Sequence, residues 1–195
     1  MRREIIVLAA TLVAGIASAT TLTLTGVADD TFTAYVSTSP MTQGTQFLTQ
    51  GTQTWQGGTV TGNVTLTPGV TNYINIAARD TFGAPSMFVA QLTLDDNQFW
   101  FNDNTQSIVT DDNANWSASL IGFGGATTTI TDLGPNGTGP WSPFNSLPSN
   151  ARLIWTPGAV SDVRYFQVQV NTVPEPASLV ALGAGMLALA RRRRK

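Results

Sequence analysis

The sequence contains no cysteine and no histidine, and its single lysine is the last residue, Lys195. Without cysteine no disulfide can stabilise the fold, and the usual zinc sites are excluded because they need thiolate or imidazole ligands. A nucleophile activated by histidine is excluded because the chain has no histidine, and one activated by lysine is excluded because the only lysine is the last residue. The glycine-rich segment 122–125 is followed by no lysine, so it is not a phosphate-binding loop. This inventory predicts a protein that is not an enzyme.

Basic residues are scarce between the two ends of the chain. Residues 20–173 contain ten aspartates but only three arginines, which gives this part a net charge of −7. The remaining basic residues lie within the first three and the last five positions. A domain this acidic is repelled by nucleic acids and by anionic lipid surfaces, so we expect no nucleic-acid partner.

The N-terminus has the three parts of a secretory signal peptide. Arginines at positions 2 and 3 precede an apolar run over residues 5–16, and Ala17 and Ala19 supply the small residues of a cleavage site. The apolar run is shorter than the roughly 20 residues that a membrane-spanning helix needs. We therefore predict a signal helix within residues 1–19, cleavage by signal peptidase after Ala19, and export of the remainder.

The C-terminus combines a proline-rich motif, an apolar run and a basic cluster. Pro174, Glu175 and Pro176 precede a nearly uniform apolar stretch over residues 177–190, and residues 191–195 read RRRRK. As a helix, the stretch would extend for about 21 Å, which can cross a hydrocarbon core of about 30 Å only where the bilayer is thin and the arginines snorkel. The basic residues are expected on the cytoplasmic side, so the helix would anchor the precursor in the inner membrane with its body outside.

In the order of its parts, the segment VPEPASLVALGAGMLALARRRRK resembles the PEP-CTERM sorting signal. The resemblance implies export by a Gram-negative bacterium that makes extracellular polysaccharide. It also implies that an exosortase, a membrane-embedded transpeptidase-like enzyme, recognises Pro174, Glu175 and Pro176 and removes the tail. The prolines disfavour helix at this point and hold the motif extended, which suits an enzyme cleft. The final location would be the cell surface or the extracellular matrix.

Alternating apolar residues predict an all-β domain over residues 20–172, followed by the sorting signal at 173–195. Apolar side chains occupy every second position in several short segments, such as residues 88–94 and 166–170. Glycine and Asx turn pairs separate these segments. The pattern predicts an antiparallel β-sandwich, flanked by the signal helix and the C-terminal apolar helix. The proline- and glycine-rich stretch 134–148 is predicted to be a long surface loop.

Within this domain, residues 28–94 resemble the jelly-roll galactose-binding-like domains that accompany glycosidases. The resemblance lies in ADDTFTAYV, an aspartate-rich turn before an alternating strand, and in LTPGVTNYINIAARDTFGAPSMFVAQL, two strands around a glycine-containing turn. Thr110, Asp111 and Asp112, followed by Trp116, resemble another strand entry of these domains. The resemblance implies a two-sheet jelly roll and contact with carbohydrate.

Aspartate pairs supply hard oxygen ligands of the kind that calcium prefers. Asp29, Asp30, Asp111 and Asp112 are therefore the candidate calcium ligands. The alternative is that they cap turns, since Asx side chains bond to nearby backbone groups. No cofactor other than calcium is predicted.

Five tryptophans provide rings of the kind that stack on sugars. Trp100 and Trp141 are the candidate glycan contacts because nearby Asn, Gly and Pro residues favour exposure, whereas Trp116 and Trp155 are predicted to be core residues. We therefore predict an exported structural or interaction protein of the envelope or the exopolysaccharide matrix. Two alternatives stay open: a dedicated carbohydrate-binding module and, less favoured, a small secreted glycosidase that uses an aspartate pair.

Overall fold

The computed structural model describes residues 19–158, 162–173 and 183–185. Ala19–Val173 form one compact unit. The predicted signal helix lies outside the described residues, and so does the predicted C-terminal apolar helix except for residues 183–185, which are helical. No helix in the described ranges has the length and apolar character that a membrane crossing requires.

Within its described part, the compact unit contains thirteen strands and one turn of 3-10 helix. The strands are β1 (Thr21–Ala28), β2 (Thr31–Ser37), β3 (Thr45–Thr49), β4 (Val60–Thr65), β5 (Asn72–Arg79), β6 (Phe88–Leu94), β7 (Phe99–Phe101), β8 (Ser107–Val109), β9 (Trp116–Ser119), β10 (Thr127–Thr128), β11 (Thr131–Pro135), β12 (Arg152–Trp155) and β13 (Val163–Thr172). The 3-10 turn, η1, covers Trp55–Gly57.

The strands form two antiparallel sheets. The first sheet has the order β11-β12-β6-β1-β4, and β8 also pairs with β6. The second sheet has the order β10-β9-β13-β5-β2-β3, and β7 also pairs with β13. Residues from both sheets contribute to one buried apolar cluster. The structure thus confirms the predicted antiparallel sandwich.

Side chains alternate between the core and the surface along the strands, as the sequence pattern predicts. In β13, Phe166, Val168 and Val170 are fully buried, while the residues between them are half-buried. Trp116 and Trp155 are also buried, which confirms them as core residues. Alternation of this kind places one face of each strand on the core and leaves the other near solvent.

Phe88 on β6 joins the two sheets at the centre of the core. Its ring stacks on Phe166 at 5.5 Å between ring centroids and meets the edges of Phe32 at 5.4 Å and Trp116 at 6.1 Å. These three partners belong to β13, β2 and β9 of the second sheet. Each aromatic pair contributes about 0.5–1.5 kcal/mol beyond the free energy of burial itself. The contacts therefore determine how β6 faces the opposite sheet.

A second apolar cluster covers the outer face of the first sheet. Residues 136–148, which we call the 136–148 loop, bury Trp141, Phe144 and Leu147 against Val27 and Val89. β6 is therefore buried on both faces over its first three residues. The stretch predicted to be a surface loop is in part a second layer of the core, because its apolar side chains fold inward.

Asn136 holds the 136–148 loop in this conformation. Its amide nitrogen donates to the carbonyl oxygens of Phe144 (3.0 Å) and Leu147 (3.2 Å), and its side-chain oxygen accepts from the Phe144 N–H (2.9 Å). One side chain thus satisfies backbone groups that lie 8 and 11 residues away in a segment with no strand or helix of its own.

Replacing Asn136 with aspartate should detach this loop from the first sheet. The new carboxylate oxygen would face carbonyl oxygens in place of the donating amide, so we expect a loss of roughly 1–3 kcal/mol in the free energy of unfolding. Urea denaturation followed by tryptophan fluorescence measures the loss. Asn145→Asp is the matched control, because Asn145 is exposed on the same loop; an equal loss in both variants would contradict the role of Asn136.

Candidate functional site

Four segments enclose a cleft of about 400 Å³ beside the second apolar cluster. They are the turn between β1 and β2, residues 53–56 at η1, the loop between β5 and β6, and the 136–148 loop. A cleft of this size falls in the range of about 300–1,000 Å³ that small-ligand sites occupy. We call it the Asp29 cleft; its lining consists of Asp29, Asp30, Gln53, Thr54, Trp55, Gln56, Asp80, Phe82, Gly83, Ala84, Pro85, Pro140 and Trp141.

Two of the three carboxylates at the cleft hold the loop between β5 and β6. Asp80 accepts hydrogen bonds from the backbone N–H groups of Phe82 (2.9 Å) and Gly83 (3.0 Å). Asp30 accepts one from the backbone N–H of Thr81. Both carboxylates are buried. Such turn capping fixes the loop that carries the Phe82 ring.

A buried glutamine, Gln50, holds the turn between β1 and β2. Its side-chain oxygen accepts from the Ala28 N–H (2.8 Å), and its amide donates to the Asp30 carbonyl (2.7 Å). The backbone N–H of Trp55 donates to the Asp29 carbonyl at 2.6 Å. These bonds satisfy the backbone of the turn and hold Trp55 next to Asp29.

Asp29 is the carboxylate whose charge is least compensated. Burial raises its pKa from an ordinary value of 3.8 to about 6, and the negative charges of Asp30 and Asp80 add to the rise. The indole N–H of Trp141, which faces the carboxylate, acts in the opposite direction on the pKa. At neutral pH Asp29 is therefore ionised in surroundings that disfavour its charge.

Trp141 is buried, with 4% of its surface exposed, because it packs with Phe144 and Leu147 on the first sheet. The prediction that this ring is exposed is therefore wrong. Although its indole nitrogen faces Asp29, it makes no hydrogen bond of standard geometry. An indole N–H can only donate, and the acceptor that it faces is the Asp29 carboxylate.

Trp55 borders the Asp29 cleft and also a second cavity of about 510 Å³. The second cavity is lined by Trp55, Gln56, Gly58, Thr59, Ser142, Pro143, Phe144, Asn145 and Ser146. Since the two cavities share Trp55 and Gln56, we treat them as one feature and call it the Trp55 groove. The Trp55 ring contacts the Phe144 ring edge-on at 6.4 Å and remains half-buried.

Aromatic rings and amides, rather than cations, supply the ligand-binding chemistry of the Trp55 groove. The Phe82 side chain is 80% exposed at the Asp29 cleft. None of Arg79, Arg152 and Arg164, the arginines of residues 20–173, lines either cavity. Exposed rings beside polar groups suit a ligand that has both apolar faces and hydroxyl or amino groups.

The structure brings some of the predicted site residues together and separates others. Asp29, Asp30 and Trp141 meet in the Asp29 cleft. Trp100 lies instead on β7, where it is half-buried opposite Asn171 of β13 and outside both cavities. Glycan contact by Trp100 or by Trp141 stays a prediction.

The second pair of candidate calcium ligands lies between β8 and β9. Asp111 accepts hydrogen bonds from the Asp112 N–H (2.7 Å) and the Asn113 amide (3.2 Å), which is turn capping. Across residues 19–158 and 162–173, no three acidic, histidine or cysteine side chains are arranged to hold a metal. Calcium binding by Asp29, Asp30, Asp111 or Asp112 stays a prediction.

The predicted processing residues lie at the edges of the described chain. Ala17, Pro174, Glu175 and Pro176 are outside the described residues, and Ala19 is exposed.

Sequence reasoning missed four residues of the site, namely Gln50, Trp55, Asp80 and Phe82. An aspartate three residues before a glycine is a turn signal that could have identified the loop at Asp80 and Phe82. No local pattern identifies Gln50, because its backbone partners are 20 and 22 residues away.

The fold and the groove define an antiparallel β-sandwich with an acidic, aromatic surface site. Residues 172–195 match the PEP-CTERM protein-sorting motif. The match confirms the sorting signal of the tail and supports an exported protein that an exosortase processes. Comparisons with curated proteins and with solved structures found no match. The resemblance to galactose-binding-like domains therefore stays a prediction.

Replacing Asp29 with asparagine should stabilise the protein at neutral pH. Because the pKa of Asp29 is about 6 when folded and about 3.8 when unfolded, the folded state binds the proton more tightly between these values. Stability is thus lost as the pH rises through this window. After discounting for solvent screening, we expect the variant to exceed the wild type by roughly 1 kcal/mol at about pH 7.5 and to equal it at about pH 4.

Urea denaturation of both proteins at the two pH values measures this difference. Asp112→Asn is the matched control, because it removes the same charge from an exposed turn. A gain at neutral pH that is no larger than the control's would contradict the unfavourable charge at Asp29.

Proposed function

We propose that this protein is a non-enzymatic interaction protein of the cell envelope or the exopolysaccharide matrix, and that it contacts glycans through the Trp55 groove. Signal peptidase would remove residues 1–19, the C-terminal helix would hold the precursor in the inner membrane, and the exosortase would then release the domain. The match of residues 172–195 to the sorting motif is the observation that carries the route of export.

The ends of the compact unit support this route because they adjoin the two predicted processing sites. Thr20 is fully buried and its hydroxyl donates to the Asp96 carboxylate (2.8 Å), whereas Ala19 is exposed. At the other end, the backbone N–H of Val173 still makes a hydrogen bond (2.8 Å), one residue before Pro174. Cleavage after Ala19 and within the Pro-Glu-Pro motif would therefore spare every strand of the sandwich.

The composition of the Trp55 groove supports contact with glycans. Sugars present flat C–H faces and many hydroxyl groups, and the groove offers rings at Trp55 and Phe82 beside the amides of Gln53 and Gln56. Aromatic rings with a polar rim bind such ligands through both kinds of contact. A dedicated carbohydrate-binding module, the first alternative, would use the same groove but discriminate sharply between glycans on an array.

A secreted glycosidase is the second alternative, and the raised pKa of Asp29 is the observation in its favour. Glycoside hydrolysis needs a second carboxylate that can act as a nucleophile or base. Both carboxylate oxygens of Asp80 accept hydrogen bonds, one from the Ser86 hydroxyl and the other from backbone N–H groups of its own loop. This engagement argues against Asp80 as the nucleophile or base. Turnover of a glycan that Asp29→Asn abolishes would favour the glycosidase instead.

Changes to the tail should block processing at two different stages. Glu175→Ala removes the carboxylate of the recognised motif but keeps the anchor, so precursor should accumulate in the membrane fraction. Replacing residues 191–195 with serine removes the charge that stops translocation, so unprocessed precursor should pass into the medium. Immunoblots of the two fractions measure both outcomes.

Intact-mass analysis of the wild-type protein from the medium is the control for these variants. Its mass should correspond to a chain without residues 1–19 and without the arginine cluster. Processing of both variants at the wild-type rate would contradict the proposed route of export.

Replacing Trp55 with alanine should weaken binding to the producer's own exopolysaccharide. The ring borders both cavities, so its loss should lower affinity roughly tenfold, equivalent to about 1.4 kcal/mol. Co-sedimentation with the purified polysaccharide measures the affinity. Trp100→Ala is the matched control, since it removes a half-buried tryptophan outside the groove. If only this control lost affinity for the polysaccharide, the glycan site would lie on the second sheet instead.

A further inference from the structure

The Asp29 cleft concentrates negative charge without a compensating cation. Asp29, Asp30 and Asp80 all line it, and none of the three arginines of residues 20–173 does. Asp30 and Asp80 both act on Asp29 as like charges. Since an unpaired charge in a partly buried site is unfavourable, a positively charged ligand group would be stabilised here, and a carboxylate or phosphate group would be repelled.

The lining favours an organic cation over a metal ion. Asp80 engages both of its oxygens in hydrogen bonds, and Asp30 engages one with the Thr81 N–H. In the part of the chain that the structure describes, no set of three ligating side chains is positioned for a metal. The rings of Trp55 and Phe82 attract ammonium groups but provide no ligand for a hard metal ion.

Asp29 is an acceptor that the neighbouring Trp141 N–H satisfies only in part. The Trp141 side chain is 96% buried, and its indole N–H lacks a hydrogen bond of standard geometry although it faces Asp29. The nitrogen has almost no accessible surface, so a ligand in the cleft reaches the carboxylate rather than the indole N–H. The ammonium group of an amine-bearing sugar can therefore donate to Asp29, which the Trp141 N–H satisfies only in part.

We propose that the Asp29 cleft binds a sugar unit bearing a protonated amine, as in a partly deacetylated hexosamine polymer. Asp29 pairs with the ammonium group, and Phe82 and Trp55 contact the apolar faces of the sugar. The second cavity, which adjoins the Asp29 cleft at Trp55 and Gln56, receives the next sugar unit of the polymer. This inference rests on the proposed glycan contact and adds to it the charge of the sugar.

Binding should depend on pH because the ammonium group pairs only with ionised Asp29. The charged groups that face Asp29 are Asp30 in the same turn and Asp80 from the loop between β5 and β6; residues 53–56 and the cleft-lining residues of the 136–148 loop contribute none. Both neighbours are acidic and oppose the ionisation of Asp29. Protonation of Asp29 below a pH of about 6 should therefore weaken binding.

The test compares three hexasaccharides with the full-length chain in mild detergent: a glucosamine oligomer, its N-acetylated form and a glucose oligomer. Calorimetry is carried out near physiological salt, so that weak attraction to the acidic domain is screened. The two conditions are about pH 6.5, where many of the sugar amines are protonated and most of Asp29 is ionised, and about pH 4.5, where Asp29 is protonated. We expect the glucosamine oligomer to bind at least tenfold more tightly than the other two at the higher pH and to lose that advantage at the lower pH. Asp29→Asn should abolish the preference, whereas Asp112→Asn, with the same change of net charge, should keep it.

Two results would overturn the inference. Equal, Trp55-dependent binding of all three oligomers would remove the amine preference and leave the proposed glycan contact intact. A preference for the glucosamine oligomer that survives in Asp29→Asn would mean non-specific attraction to the acidic domain. The proposed function fails separately, if no hexasaccharide binds and the native exopolysaccharide is not retained either.

Discussion

The packing of Phe88 against rings of the opposite sheet is the contact on which the rest of the structure depends. Since the chain has no cysteine, no disulfide restrains the separation of the two sheets, and apolar burial has to do so. Phe88 stacks on Phe166 and meets the edges of Phe32 and Trp116, so its orientation determines which face of β6 points inward. Strand geometry then directs the next residue, Val89, to the outer face. The 136–148 loop packs on that outer face, so the position of the loop follows from the core.

The Asp29 cleft follows from this second layer of packing. Trp141 is buried with the loop, and its indole N–H is thereby directed at Asp29. On the opposite side, Asp80 fixes the loop that carries the exposed Phe82 ring. The cleft is thus enclosed by segments that are individually well held by hydrogen bonds and apolar contacts. Asp29 itself is charged in surroundings that raise its pKa to about 6. Strongly shifted carboxylates of this kind cluster at functional sites, which favours the cleft over the turn at Asp111 as the candidate site.

The distribution of charge along the chain is consistent with its sorting motif. Seven of the ten basic residues lie in the two terminal segments, and the compact unit between them carries the net charge of −7. Removal of both segments would leave an acidic sandwich that does not adhere to anionic lipid surfaces. An acidic domain of this kind attracts a polymer that carries protonated amines, and salt screens this general attraction beyond about 10 Å.

The sequence by itself determined the features that depend on neighbouring residues. The sorting signal could be predicted because an enzyme reads it as a short linear segment, and the strands and the buried Trp116 and Trp155 could be predicted because alternation has a period of two. Only the tertiary structure decided that Trp141 is buried and that Asp29, Trp55 and Asp80 share one cleft. Alternation tells which face of a strand a side chain occupies. Trp55 and Asp80 lie 26 and 51 residues after Asp29 in the chain, and they meet it only because two sheets and a folded loop pack together.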